Sequence, residues 1–206
     1  MQMAEPKGKR QKTCLPICSF HLPVPGTRVK QNYPPTVEEA VCGLITLFYE
    51  VSYRFQALAE IFEQDDVALP RVAGYFRKAA EEEEKNAETL LDYQKERGGY
   101  YCAKDIQKPR TESVKNIRQA LELTLRQWKT VATFLEELCA LSKGCTDPHT
   151  TSFIRKRLLV PKIQQIKVVG DLITNANRLG CTDEGQVSFG EYLIDRLQEE
   201  LARPPP

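Results

Sequence analysis

Carboxylates and thiols are the side chains here with most capacity for chemistry. A run of glutamates, Glu81 to Glu84, lies in a stretch that also carries Lys78, Lys85 and Glu88. Lysines three and four residues from glutamates are the pattern of a solvated helix face. Two other groups fall where charge is unexpected. Val72, Phe76 and Ala79 lead, in steps of three and four, into Glu83 and Asn86 and then Leu90. Lys162 interrupts a second series, Leu158, Ile166, Val169 and Ile173. Both patterns set charge on an otherwise apolar face. Near the start, Cys14, Cys18 and His21 (C-x3-C-x2-H) offer three ligands to a soft metal, with Pro16 between the cysteines. Only two histidines are present, so no Ser/His/Asp arrangement arises, and there is no glycine loop of the phosphate-cradling kind.

The elements that must position these residues read as all-α. Residues 1–30 form a basic, proline-rich extension with Lys7, Lys9, Arg10 and Lys12, expected to be disordered. The basic start also fits a nuclear address. The folded domain is expected over 31–201, with 202–206 a polar tail. Thr36 and Glu39 predict a capping box for a first helix whose stripe is Val41, Leu44, Ile45, Phe48, Phe55, Leu58 and Phe62. A second helix starts near Pro70 and stops at Gly98-Gly99. A third carries Ile117, Leu121, Leu125, Trp128, Ala132, Leu135 and Leu138 and ends near Gly144. A fourth opens with Asp147 and Pro148 and ends at Gly180. Pro161 lies inside it, removing a backbone donor and predicting a kink. A short fifth has Ser188 and Glu191 as a capping box and Phe189, Leu193 and Leu197 as its apolar face. The segment from Tyr100 to about Ser113 is long for a bundle connection, so the second and third helices are expected to run parallel.

The net charge of +1 gives no reason to invoke nucleic acid, and apolar stretches are too short for a membrane span. No signal peptide is read at the start. The 7 cysteines, odd in number and scattered, point to free thiols in a reducing compartment. The expected location is the cytoplasm, with the nucleus as the other possibility.

A series of short tags, in this order, resembles the animal ferritin subunit. They are RVKQNY (28–33), DDVAL (65–69), Arg97-Gly98-Gly99, DIQKP (105–109), Asp147-Pro148-His149, GDLITN (170–175) and Glu191-Tyr192-Leu193. The resemblance covers about residues 28–201, with a short insertion around Gln186–Ser188. It implies a four-helix bundle with a long crossover and a short fifth helix. It also implies assembly into a hollow octahedral shell of twenty-four subunits that stores mineral iron.

The resemblance further says what each core position should do. Similarity to catalytic members puts a ligand carboxylate at Phe48, a supporting tyrosine at Phe55 and carboxylates at Glu82 and Glu83. It puts a histidine at Asn86, another carboxylate at Trp128 and a glutamine at Lys162. A ferrous oxidation centre needs several hard oxygen ligands and usually an imidazole. Most of these positions have lost theirs, so the chain is read as not an enzyme. Glu83 and Lys162 are instead expected to form a buried ion pair in the vacant centre, as light-type subunits do, since burying either alone costs several kcal/mol.

Light-type subunits also nucleate mineral on carboxylates of the second helix. Glu81, Glu82 and Glu88 keep a carboxylate at such positions, and Lys78 and Lys85 replace two others. Glu81, Glu82, Glu83 and Glu88 are the residual metal-binding carboxylates. The family's three-fold channel positions read Cys139, Ser152 and Arg155, and an arginine ring would repel a divalent cation. The resulting expectation is a non-catalytic iron-storage subunit, with other ferritin subunits as partners in a homo- or hetero-oligomer. Iron is its only implied cofactor. The alternative is a ferritin-fold interaction protein with no iron role.

Overall fold

The computed structural model describes residues 27–109, 111, 114–181 and 190–195. Cys14, Cys18, His21, Ser188, Phe189, Leu197 and the tail lie outside them. Within them, α1 spans Pro35–Glu63, α2 Pro70–Glu96, α3 Ile117–Gly144 and α4 Pro148–Ile154. A π-helical turn, Arg155–Leu159, joins α4 to α5, Val160–Arg178. Residues 190–195 are also helical. No strand occurs among the described residues, and no described helix is long and apolar enough to cross a membrane.

The α1 stripe from Val41 to Phe62 is buried throughout. Its start differs from the expected capping box. Pro34 is the N-cap and Pro35 opens the helix, so Thr36 sits within the first turn and its hydroxyl meets the Cys145 thiol at 3.6 Å. A proline at the first helical position has φ preset for a helix and forces the preceding residue to be extended, which moves the boundary ahead of Thr36.

The polar contacts at the helix ends give the topology. The end of α2 meets the start of α4, with Arg97 Nη1 donating to Thr150 Oγ1 at 3.0 Å. The start of α1 meets the end of α3 through Thr36 and Cys145. At the opposite pole, residues 190–195 reach the starts of both α2 and α3. Asp195 Oδ1 accepts the N–H groups of Arg71 and Val72 at 2.9 and 3.0 Å. Glu191 Oε1 accepts the N–H of Ile117 at 3.0 Å. The two helices therefore begin at one pole and end at the other. They run parallel, as the length of the crossover predicts.

Asp195 and Glu191, both buried, thus satisfy N–H groups that lack an intrahelical partner. α2 has no side-chain cap of its own, whereas α3 is also capped by Asn116, which accepts from Gln119 N–H at 2.8 Å. Asp147 caps α4, accepting from the Thr150 N–H at 3.2 Å and its hydroxyl at 2.6 Å.

A kink is the expectation at Pro161, and the structure has a wide π turn just before it. Val160 N–H bonds to Arg155 O, five residues back. A single π turn next to a proline lets the chain pass a residue without an N–H while its neighbours remain paired.

Candidate functional site

Midway along the bundle one carboxylate collects the polar groups of three helices. Glu83 on α2 is fully buried, as is Lys162 on α5, at 0% and 1% exposure. Lys162 Nζ bonds Glu83 Oε1. The same oxygen accepts the Trp128 indole N–H from α3 at 2.6 Å. Asn86 Nδ2, one helical turn along α2, donates to Oε2 at 3.4 Å.

Aromatic rings enclose this cluster. The Lys162 ammonium lies 5.0 Å from the Trp128 ring centroid and 5.9 Å from that of Phe48, within cation–π range. Phe55 meets Trp128 edge-on, at 5.6 Å and 87°. Burial pulls the Lys162 pKa below the usual lysine value, while the charge and hydrogen bond of Glu83 pull it back up. The pair, closed off by rings, is a packed polar plug. Phe48, Phe55, Glu83, Asn86, Trp128 and Lys162 all meet here.

The other carboxylates named from the sequence point elsewhere. Glu82 is exposed and accepts from Gln165 Nε2 at 2.6 Å. Glu81 lines a shallow cavity of about 420 Å³ with Tyr53, Glu60 and Arg77. Glu88 is exposed and lies near Tyr49, whose phenol is pushed up by burial and by Glu88 and Glu84. Glu81, Glu82, Glu83 and Glu88 therefore do not form one ligand set. Among the described residues no three His, Cys, Asp or Glu side chains are grouped to hold a metal. Lys78 and Lys85 do not pair with the acidic run as their spacing suggests, because no ion pair joins them to a described carboxylate. Exposed pairs gain so little in water that other contacts decide their geometry.

Where α3 turns into α4, Ser152 and Arg155 line a cavity of about 780 Å³. The Cys139 thiol faces the Thr151 carbonyl at 3.9 Å. Burial raises its pKa, and Arg155 works against that rise. No disulfide joins cysteines among the described residues.

The family model for the Ferritin-like domain matches residues 39–179, which include the whole plug and both flanking cavities. The chain belongs to the ferritin family. It is similar to the ferritin light chain of Oryctolagus cuniculus, 39% identical over 83% of this chain and 96% of that protein. Ferritin light chain 1 of Rattus norvegicus is 38% identical, with the same coverage. The ferritin middle subunit of Aquarana catesbeiana is 36% identical over 82% of this chain and 95% of its own length.

Within this ferritin bundle, two parts of the plug were not legible in the sequence. Trp128 reads as an apolar stripe residue and a replaced ligand, yet its indole N–H is a donor to Glu83. Asn86 reads as a lost ligand, yet it supplies a further donor. A buried indole normally finds an acceptor, and that rule was the available signal.

Proposed function

We propose that this chain is an iron-storage subunit that contributes to a ferritin shell without oxidising iron itself. One observation carries the reading. Both oxygens of Glu83, the buried carboxylate of the core layer, are engaged by Lys162, Trp128 and Asn86. A ferrous ion placed there would have to displace an ammonium and an indole N–H, and would then find aromatic rings at Phe48 and Phe55 where oxygen ligands are needed. Iron is cargo in this reading, held as mineral. The exposed Glu81, Glu82 and Glu88 are the groups left to nucleate it on the α2 surface. Hetero-assembly with oxidising subunits would supply ferric iron to those carboxylates.

The test is ferrous oxidation followed by absorbance, with the chain alone, a catalytic ferritin alone, and the two co-assembled. The chain alone should oxidise ferrous iron no faster than buffer. The mixed shell should mineralise iron with a rate that follows its catalytic fraction. A rapid oxidation burst from the chain alone overturns the closed-centre argument. Failure of the chain to enter any iron-loaded shell favours the interaction-protein alternative.

A further inference from the structure

The three exposed carboxylates named on α2 are not held alike. Glu82 Oε2 accepts the Gln165 Nε2–H from α5 at 2.6 Å, between residues 83 positions apart. Its other oxygen has no hydrogen-bond partner among the described residues. Glu81 and Glu88, also exposed, form no hydrogen bond or ion pair among the described residues. The Gln165 amide has no competing attachment. Its Oε1 is buried and accepts no hydrogen bond, so Glu82 alone sets which way the amide faces. The nearest cation is already committed, since Lys162, which feels the Glu82 charge, is buried and bonded to Glu83. Tyr75 lies two turns earlier on the same helix face. Its phenol is raised by burial and then by Glu82, which sets that ring close to the carboxylate.

We propose that Gln165 is a positioning residue for iron, holding Glu82 ready so that the mineral starts there rather than at Glu81 or Glu88. The inference rests on the reading of these carboxylates as nucleation groups, and it names the one that acts first. Hard cations take carboxylate oxygens. A glutamate is rich in rotamers, and ordering one at the moment of binding costs affinity. Glu81 and Glu88 lose that freedom when the ion arrives. Glu82 has already lost most of it to the α5 amide. The hydrogen bond engages one oxygen and leaves the other to the ion. The amide is also uncharged, so it fixes the carboxylate without cancelling its attraction for a cation. Lys162 does the opposite to Glu83, one residue away.

The experiment is titration of the full chain with terbium(III), a hard trivalent stand-in for ferric iron, read as luminescence excited through the aromatic side chains. Tyr75 close to Glu82 should sensitise an ion bound there. One tight class of site is expected ahead of weaker ones, and Glu82→Gln should abolish it. Gln165→Leu should weaken it by about threefold to tenfold, the worth of one ordered side chain. The weaker sites and the helical circular dichroism should not change. In the Glu82→Gln background, Gln165→Leu should have no further effect, because the amide acts only through that carboxylate. A Gln165→Leu chain that binds terbium as the unaltered chain does, while Glu82→Gln loses the tight class, overturns the positioning role and leaves Glu82 as a nucleation group. A loss that adds to that of Glu82→Gln also overturns it. A tight class untouched by either substitution overturns both the inference and the nucleating role of Glu82. Iron loading of mixed shells tests the storage function separately.

Discussion

Replacing Lys162 by methionine removes the ammonium on Glu83 while nearly preserving volume. Glu83 has no exposure through which water could replace the lost partner. Breaking a buried pair from one side typically costs about 3–5 kcal/mol. Here the carboxylate retains the indole N–H at 2.6 Å and the Asn86 amide at 3.4 Å. Those donors offset part of the loss and put the expected cost near the lower limit, about 3 kcal/mol. For a domain of this size that corresponds to a fall in Tm of roughly 6–12 °C. The natural control removes the charge from both sides. Glu83→Gln with Lys162→Met keeps an acceptor for Trp128 and should recover most of the loss. Glu83→Leu with Lys162→Met strands the indole N–H and should recover less, by about 1–3 kcal/mol. Trp128 is the chain's only tryptophan, so its fluorescence during urea unfolding reports directly on the plug. If Lys162→Met and the Gln/Met double variant unfold at the same urea concentration, the ion pair contributes nothing and the closed-core reasoning fails.

Other outcomes follow from charge and capping. Arg155, which the family resemblance assigns to the three-fold channel, should make shells of this chain alone assemble less well than mixed shells with an acidic-channel ferritin. The deficit should be larger at low salt, because screening weakens repulsion between exposed charges. Size-exclusion yields at two ionic strengths check this, and equal yields throughout refute it. At acid pH, burial pushes the Asp147 pKa up, but the Thr150 hydrogen bonds and Arg97 hold it below its usual value. Its stabilisation is present above about pH 4 and lost as pH falls through the depressed pKa. Asp147→Asn should therefore be less stable at neutral pH, with a shallower acid limb in pH-dependent urea melts. At alkaline pH, burial raises the phenols of Tyr33, Tyr75 and Tyr93. The folded state keeps those protons longer than the unfolded state, so stability should fall above about pH 10. Lys162, with its lowered pKa, acts in the opposite direction but is one group against several. The part of the tyrosinate absorbance that comes from these buried phenols should accordingly rise together with unfolding. Asp195→Ala should cost about 1 kcal/mol or more by stranding the Arg71 and Val72 N–H groups, and hydrogen exchange should quicken first at those two amides.

Local signals make much of the fold legible in the sequence. Pro70, Gly98, Asp147 and Gly180 mark helix limits through backbone geometry that depends on neighbouring residues only. The 3.6-residue spacing of Val41 to Phe62 identifies the buried stripe for the same reason. What escapes is of two kinds, local signals that compete with one another and contacts between residues far apart in the chain. Thr36 looks like a cap until Pro34 and Pro35 shift the boundary. The spacing of Lys78 and Lys85 suggests pairs that water does not reward. The caps supplied by Asp195 and Glu191 join residues more than 70 positions apart, and no short pattern announces them. In the plug, Glu83 and Lys162 are conspicuous as charges on apolar faces. The indole N–H of Trp128 is hidden by a residue type usually read for its bulk.

Those distant caps bear on how the chain matures during synthesis. The N–H of Arg71 leaves the ribosome 124 residues before the carboxylate that accepts it. At about 5–20 residues per second that interval is roughly 6–25 s. For that time α2 can form and pair with α1, but the Asp195 cap on its first turn is not yet in place. The start of α3 waits in the same way for Glu191, with only Asn116 in place. Residues 190–195, the last helical ones among the described residues, therefore close the frayed starts of two earlier helices. A nascent chain halted before residue 191 would expose both starts to proteases and chaperones at once.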